Sequence, residues 1–207
     1  MTEVKAVQIT RDLIENAYNY REYREMIDQA LSEGKTTGEN HSEAMLHYTK
    51  MNVHRMSRLD RRTELLDELK KVAGSIGKHQ TWLVITEAWC GDAAQSLPVI
   101  QKIADESSAI HAKYILRDEN LEIMDQFLTN GKSRSVPKLV CLDSKTLDVL
   151  GTWGPRPEAA QKVYDEWREE DLPYQQIAEK LHKWYAEDRT ESIQTEFIAL
   201  LQRWSLN

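Results

Sequence analysis

Residues 82–104 read WLVITEAWCGDAAQSLPVIQKIA, and this stretch decides the fold. The run WLVIT at 82–86 is short, apolar and rich in residues that favour strands, which predicts a buried strand. The segment that follows is predicted to begin as a loop and to turn into a helix. Cys90 therefore falls where a buried strand passes into the first turn of a helix.

The sequence after this stretch predicts further strands and helices. In chain order they are a strand at 111–116, a helix at 121–128 that stops at Asn130-Gly131, strands at 138–142 and 146–150, a helix from about Pro157, and a helix from Tyr174 that can extend to Trp204. A turn at 143–145 makes the last two strands a hairpin. The alternation of strands and helices predicts the α/β class.

The residues before Gly77 are predicted to be helical. One helix is expected over 10–31, a second starts with Ser42 as its N-cap and passes Met56, and a third covers 65–72. The second helix carries a stripe of methionine and tyrosine and a cluster of arginines. We interpret the stripe as core; its members are Met45, Tyr48, Met51 and Met56. We interpret the cluster as a solvated face or a contact with the acidic C-terminal half; its members are Arg55, Arg58, Arg61 and Arg62.

Composition excludes several classes of protein. The formal net charge of -7 and pI near 5.5 provide no basic surface for nucleic acid. No apolar run is long enough to span a membrane, and the first residues lack the apolar stretch of a signal peptide, so we expect a cytoplasmic protein. Two cysteines cannot build a disulfide framework or a cysteine-rich zinc site. The histidines at 41, 47 and 54 lack the spacing of a metal site, and none is expected.

Two separated motifs carry a family resemblance. Trp89-Cys90-Gly91-Asp92-Ala93 resembles the Trp-Cys-Gly-Pro-Cys of the thioredoxin family, and Ser135-Val136-Pro137, followed by a strand, resembles that family's cis-proline segment. The segment Trp153-Gly154-Pro155-Arg156-Pro157 is similar to one in a branch of bacterial thioredoxin-like proteins with helical extensions. The resemblance covers residues 78–170.

The resemblance implies a thioredoxin-like fold, which is a central mixed sheet flanked by helices. Residues 78–170 are then expected to form the thioredoxin-like domain. Residues 1–77 are expected to be a helical N-terminal extension, and residues 171–207 a helical C-terminal extension.

The resemblance makes Cys90 the attacking thiol. A cysteine at a helix N-terminus lies near unpaired backbone N–H groups and the positive end of the helix dipole, so its pKa is expected to fall. Trp89 is expected to shield one side of the sulfur, with Gly91 next to it. By the same resemblance Pro137 faces the sulfur, and the backbone of Ser135 and Val136 pairs with an incoming peptide.

Two positions depart from the family pattern. The resolving cysteine is replaced by Ala93, and the buried acid of the strand is replaced by Val84. An internal dithiol cycle at this motif is therefore excluded. Cys141 lies about 13 Å further along its strand than Pro137, beyond the reach of a disulfide, and is expected to be core.

Charged residues near the motif leave alternatives open. Asp92 carries protons during exchange as a catalytic residue, selects a substrate by its charge, or stabilises the first turn of the helix. In each case its charge opposes the helix dipole and weakens Cys90 as a nucleophile. Lys132, Arg134 and Lys138 bind the carboxylates of a small thiol such as glutathione in a groove beside Cys90, offset the charge of Asp92, or are simply solvated.

Three functions are compatible with these residues. The first is a monothiol oxidoreductase in which Cys90 attacks a disulfide or sulfenic acid of a protein or small molecule, and an external thiol resolves the adduct. The second is a redox-inactive module that holds an extended peptide near Pro137. The third is a glutathione-dependent iron–sulfur carrier similar to monothiol glutaredoxins, although the Trp-Cys start and the Asp-Ala ending depart from that pattern.

Overall fold

A computed structural model describes residues 9–206, and a four-stranded mixed sheet lies at its centre. The strands are β1 (Gln80–Thr86), β2 (Ile110–Leu116), β3 (Lys138–Asp143) and β4 (Val149–Trp153), in the spatial order β2-β1-β3-β4. β1 is parallel to β2 and antiparallel to β3, and β3 is antiparallel to β4. Every residue of β1 is buried, as its apolar sequence predicts.

Nine helices surround the sheet in the described part of the chain. They are α1 (Arg11–Asn16), α2 (Tyr20–Ser32), α3 (Glu43–Arg62), α4 (Asp67–Gly74), α5 (Gly91–Asp105), α6 (Leu121–Met124), α7 (Glu158–Glu169), α8 (Tyr174–Asp188) and α9 (Glu191–Leu206). The expected α/β class, with a mixed sheet between helices, is confirmed. Among these helices none is long and apolar enough to span a bilayer.

Four predicted elements have wrong boundaries, namely three helices and one strand of the hairpin. The helix expected over 10–31 is two helices, because Tyr18 pairs with Tyr114 of β2 and Asn19 then caps α2 together with Glu22. The helix expected over 121–128 ends at Met124, where tight turns take over. The C-terminal helix breaks at Arg189 and Thr190, both with positive φ.

The hairpin strand expected at 146–150 begins later, at Val149. The Asp143 carboxylate accepts the backbone N–H groups of Lys145 and Thr146, and Leu147 adopts a φ of 64°. These features are typical of a turn stabilised by an aspartate side chain. The turn is therefore longer than the sequence pattern indicates.

Two apolar cores lie on opposite faces of the sheet. Trp82 and Val84 of β1 face the larger core, which contains Phe197 and Trp204 of α9. Leu83 and Ile85 face the smaller core, against which residues of α1 and α6 pack. This alternation follows from the pleat of the strand.

Gly151 of β4 permits the closest contact between the sheet and α9. A Cβ built there would lie 2.0 Å from Nε1 of Trp204, a fully buried side chain. We expect Gly151→Ala to lower the free energy of unfolding by about 1–3 kcal/mol, as overpacking does. Urea denaturation measures the change. Gly77→Ala is the matched control, because a Cβ at Gly77 meets nothing within 4 Å, and equal losses in both variants would contradict the prediction.

Candidate functional site

Cys90 is the N-cap residue of α5, directly after the turn that follows β1. Its sulfur lies 3.1 Å from the carbonyl oxygen of Val136, to which the thiol donates a hydrogen bond. The Val136-Pro137 peptide bond is cis. The two motifs, 46 residues apart in sequence, thus meet at the thiol.

The environment of Cys90 disfavours the thiolate. Burial raises the pKa of the Cys90 thiol to about 12, and the negative charge of Asp92 adds to this effect. The backbone N–H groups of Ala93 and Asp92, together with the Arg156 guanidinium, act in the opposite direction. The expected fall in the pKa is therefore wrong, because burial outweighs the helix N-terminus. At neutral pH Cys90 is a neutral thiol.

Asp92 is buried and fully engaged by two side chains from distant parts of the chain. Arg156 donates to Oδ2 through Nη2 at 2.7 Å and through Nε at 3.2 Å. The Tyr185 hydroxyl donates to Oδ1 at 2.6 Å. The carboxylate therefore ties the first turn of α5 to the segment before α7 and to α8. This tertiary role goes beyond the first-turn stabilisation considered from the sequence.

Arg156 is itself held in place from three sides. Its guanidinium lies over the ring of Tyr164 at 4.0 Å, and Nη1 donates to Gln161 at 3.1 Å. Together with Asp92 and Tyr185 it forms a buried network, which we call the Asp92 network. The sequence pattern placed Arg156 in a family-like segment but did not indicate its partner.

A cavity of about 390 Å³ opens in front of Cys90, and we call it the Cys90 cavity. The segment from Trp89 to Asp92 lines it. The 37–40 loop, α3, α7 and α8 also contribute lining residues. The residues contributed by these three helices are Met45, Tyr48, Asn52, Arg55, Tyr164, Tyr174, Ala178, Leu181 and His182. Its volume falls in the range typical of small-molecule sites.

Gly91 allows α8 to approach the motif closely. A Cβ at Gly91 would lie 2.7 Å from Cε1 of His182, so a larger residue would displace the imidazole. Burial and the Arg55 guanidinium lower the pKa of His182 to about 4, which keeps the ring neutral. Sequence analysis did not single out His182, since its neighbours in sequence carry no motif.

Several residues expected at the site lie in it, and others do not. Trp89, with the Arg117 guanidinium 4.9 Å from its ring, lines the Cys90 cavity together with Cys90, Gly91 and Asp92. Val136 contacts the sulfur through its carbonyl, and Pro137 is buried next to it. The Ser135 hydroxyl hydrogen-bonds to Ser133 instead.

The basic residues expected beside Cys90 have other partners. Arg134 is exposed and forms a bidentate pair with Asp125, at 2.6 and 2.7 Å. Lys138 is buried and donates to the Gly154 carbonyl at 3.1 Å. Neither lines the Cys90 cavity, so they are not placed to bind the carboxylates of a small thiol inside it.

The interpretation of α3 also changes. Met56 is core, but Met45 and Tyr48 are only half-buried and line the cavity. Arg55 lines it too, whereas Arg58 is exposed. The helical spacing predicted one apolar face, and it could not show that part of this face borders a cavity.

The second cysteine, Cys141, lies away from the site. Cys141 is fully buried in β3, which confirms that it is core. Within residues 9–206, no group of three or more histidine, cysteine, aspartate or glutamate side chains is arranged to hold a metal ion.

Comparison with known proteins gives a family and a fold. A family model described as Thioredoxin matches residues 38–168. A crystal structure of a protein of unknown function from Pseudomonas aeruginosa is similar, with a TM-score of 0.55 and 17% identity over 89% of this chain and 98% of that one. The crystal structure of an HIV epitope scaffold has a TM-score of 0.53 and 16% identity at the same coverage. No curated protein matches. At these identities the structures show a shared fold alone.

The raised pKa of Cys90 predicts a steep pH profile for alkylation. In a Cys141→Ala variant, we expect the rate with iodoacetamide to rise about tenfold per pH unit from about pH 7 to 10, because the thiolate fraction of a thiol with a pKa of about 12 does so. Free cysteine, with a pKa of about 8.5, serves as the control and levels off in this range. A plateau for Cys90 below pH 9 would contradict the prediction.

The charge of Asp92 should have a measurable effect on the pKa of the Cys90 thiol. We expect Asp92→Asn to make alkylation of Cys90 at pH 8 severalfold faster, since a negative charge that raises the thiol pKa is removed while Arg156 remains. The same change should lower the free energy of unfolding by about 3 kcal/mol, because Arg156 loses its buried counterion.

Asp118→Asn is the matched control for this variant. Asp118 also lines the Cys90 cavity but pairs with Arg117. Equal alkylation rates in the two variants would show that Asp92 does not control the thiol.

Proposed function

We propose that this chain, which belongs to the thioredoxin family, is a monothiol thiol–disulfide oxidoreductase that acts on a small substrate through Cys90. The observation that supports this proposal is the position of the thiol. Cys90 lies at the N-terminus of α5, contacts the Val136 carbonyl and lines the Cys90 cavity. A thiol buried only for packing would not border such a cavity.

The reaction has two exchange steps. Cys90 loses its proton and attacks one sulfur of a disulfide R–S–S–R′, so that a Cys90–S–S–R bond forms and R′S⁻ leaves with that proton as R′SH. An external low-molecular-weight thiol R″SH then attacks the R sulfur and releases R–S–S–R″, and Cys90 recovers a proton. A sulfenic acid R–SOH would give the same adduct and one water. Each disulfide step exchanges one thiol for another, and the sulfenic acid step forms one S–S bond with loss of water, so atoms and electrons balance in all of them.

The backbone stabilises the reacting sulfur. The N–H groups of Asp92 and Ala93 favour the thiolate of Cys90, both before attack and when it leaves the mixed disulfide. Before attack, the Val136 carbonyl accepts the thiol proton in a hydrogen bond. Deprotonation therefore replaces one hydrogen bond by interactions with two amides.

An external thiol is required because the chain offers no internal one. Ala93 occupies the resolving position, and Cys141 is buried in β3. A high-pKa thiolate is strongly nucleophilic but scarce, and it is a poor leaving group. We therefore expect the Cys90 adduct to form slowly and to accumulate. A reducing compartment such as the cytoplasm would supply the resolving thiol.

A redox-inactive binding protein is the second candidate. The raised pKa of Cys90 favours it, because a neutral thiol can serve as a hydrogen-bond donor to a bound molecule without reacting. The volume of the Cys90 cavity then favours a small ligand over the extended peptide considered from the sequence.

Adduct formation distinguishes the two candidates. We expect the Cys141→Ala variant, incubated with glutathione disulfide at pH 8–9, to gain the mass of one glutathionyl group, and added glutathione to remove it. Cys90→Ser, the matched control that retains Cys141, should gain nothing, because the remaining thiol is buried. Mass spectrometry and the release of glutathione measure both steps. Absence of an adduct on Cys90 up to pH 10 would favour the binding protein.

A further inference from the structure

Arg55 of α3 is a half-buried cation that lacks an acidic partner. Its Nη1 donates to Asn52 Oδ1 at 2.8 Å, and the Asn52 side chain donates in turn to the Ala88 carbonyl at 2.9 Å. Among residues 9–206, no carboxylate lies within ion-pair distance of Arg55. Asn52 thus holds the guanidinium in place without neutralising it.

The other charges of the cavity wall are paired with each other. Arg156 pairs with Asp92 at 2.7 Å, and Arg117 pairs with Asp118 at 2.7 Å. Three arginines therefore face two aspartates, and the charge of Arg55 is in excess. This local excess is positive although the chain as a whole has a net charge of -7. A half-buried cation without a counterion is a favourable partner for an anionic group of a ligand.

A second polar group in the wall also lacks a partner. In the described part of the chain, Nδ1 of His182 is buried without a hydrogen-bond partner. The ring is neutral and lies against Gly91, one residue from the thiol. Buried polar atoms are rarely left unsatisfied in native proteins, and His182 lines the Cys90 cavity, so a polar atom of a bound ligand is one partner that this nitrogen can take.

We infer that the Cys90 cavity binds a carboxylate-bearing small thiol or its disulfide, with the carboxylate on Arg55 and the sulfur toward Cys90. Tyr48, Tyr164 and Tyr174 provide aromatic walls for the uncharged part of such a molecule. Arg55 takes the role that the sequence suggested for Arg134 and Lys138. The inference that the ligand carries a sulfur rests on the proposed function. The inference that its carboxylate binds Arg55 does not.

The test uses a probe without a reactive sulfur. S-methylglutathione has free carboxylates and a thioether, and its diethyl ester is the same molecule with both carboxylates masked. We expect calorimetry to show that the wild-type chain binds the acid and prefers it to the ester. Arg55→Met should weaken binding of the acid at least about tenfold, the effect of losing one charge-assisted hydrogen bond.

Two further variants complete the design. Arg58→Met is the matched control, because Arg58 is an exposed arginine of the same helix, and it should bind the acid as the wild type does. Arg55→Lys retains the charge and should retain most of the affinity, which separates recognition from misfolding. The inference is overturned if the wild type does not bind the acid, binds the ester equally well, or loses nothing in Arg55→Met.

The binding experiment and the redox experiment can fail separately. If Arg55 controls binding but Cys90 forms no adduct, the redox proposal fails and the ligand class stands. If Cys90 turns over glutathione disulfide equally well in the wild type and in Arg55→Met, the ligand class fails and the redox proposal stands.

Discussion

The contact of Asp92 with Arg156 and Tyr185 is the interaction on which the site depends. It joins the first turn of the helix that carries Cys90 to two segments from the C-terminal third of the chain. A buried carboxylate is tolerated only when both of its oxygens are satisfied, and here each has a donor. The geometry that satisfies Asp92 also brings Tyr164 and α8 in front of the thiol, so the wall of the Cys90 cavity follows from the same contact.

The thiol shows how two opposing effects are balanced. A helix N-terminus favours a thiolate, and burial favours a thiol. At Cys90 burial is the larger effect, and the nearby charge of Asp92 acts in the same direction. Arg156 offsets part of that charge, so the Asp92 network also adjusts the thiol. The result is a weakly acidic sulfur at the edge of the Cys90 cavity, which under the proposed function suits slow chemistry on a bound molecule.

The helices outside the sheet change what the thioredoxin motif faces. α3 and α8 both line the Cys90 cavity, so the thiol borders a space that residues outside the sheet help to form. They also bring polar groups that the motif lacks, namely the Arg55 guanidinium and the His182 imidazole. Under the proposed function, substrate selection depends on these helices, while the sheet and α5 position the sulfur.

The sequence alone determined the elements whose signals are local. The apolar run of β1, the start of α5 at Cys90 and the loss of the resolving thiol at Ala93 depend only on neighbouring residues, and they were predictable for that reason. The partners of Asp92 are 64 and 93 residues away, and no periodicity links them. Only the tertiary structure decided that Arg55 and His182, rather than Arg134 and Lys138, face the thiol, because burial and charge pairing arise when distant segments pack together.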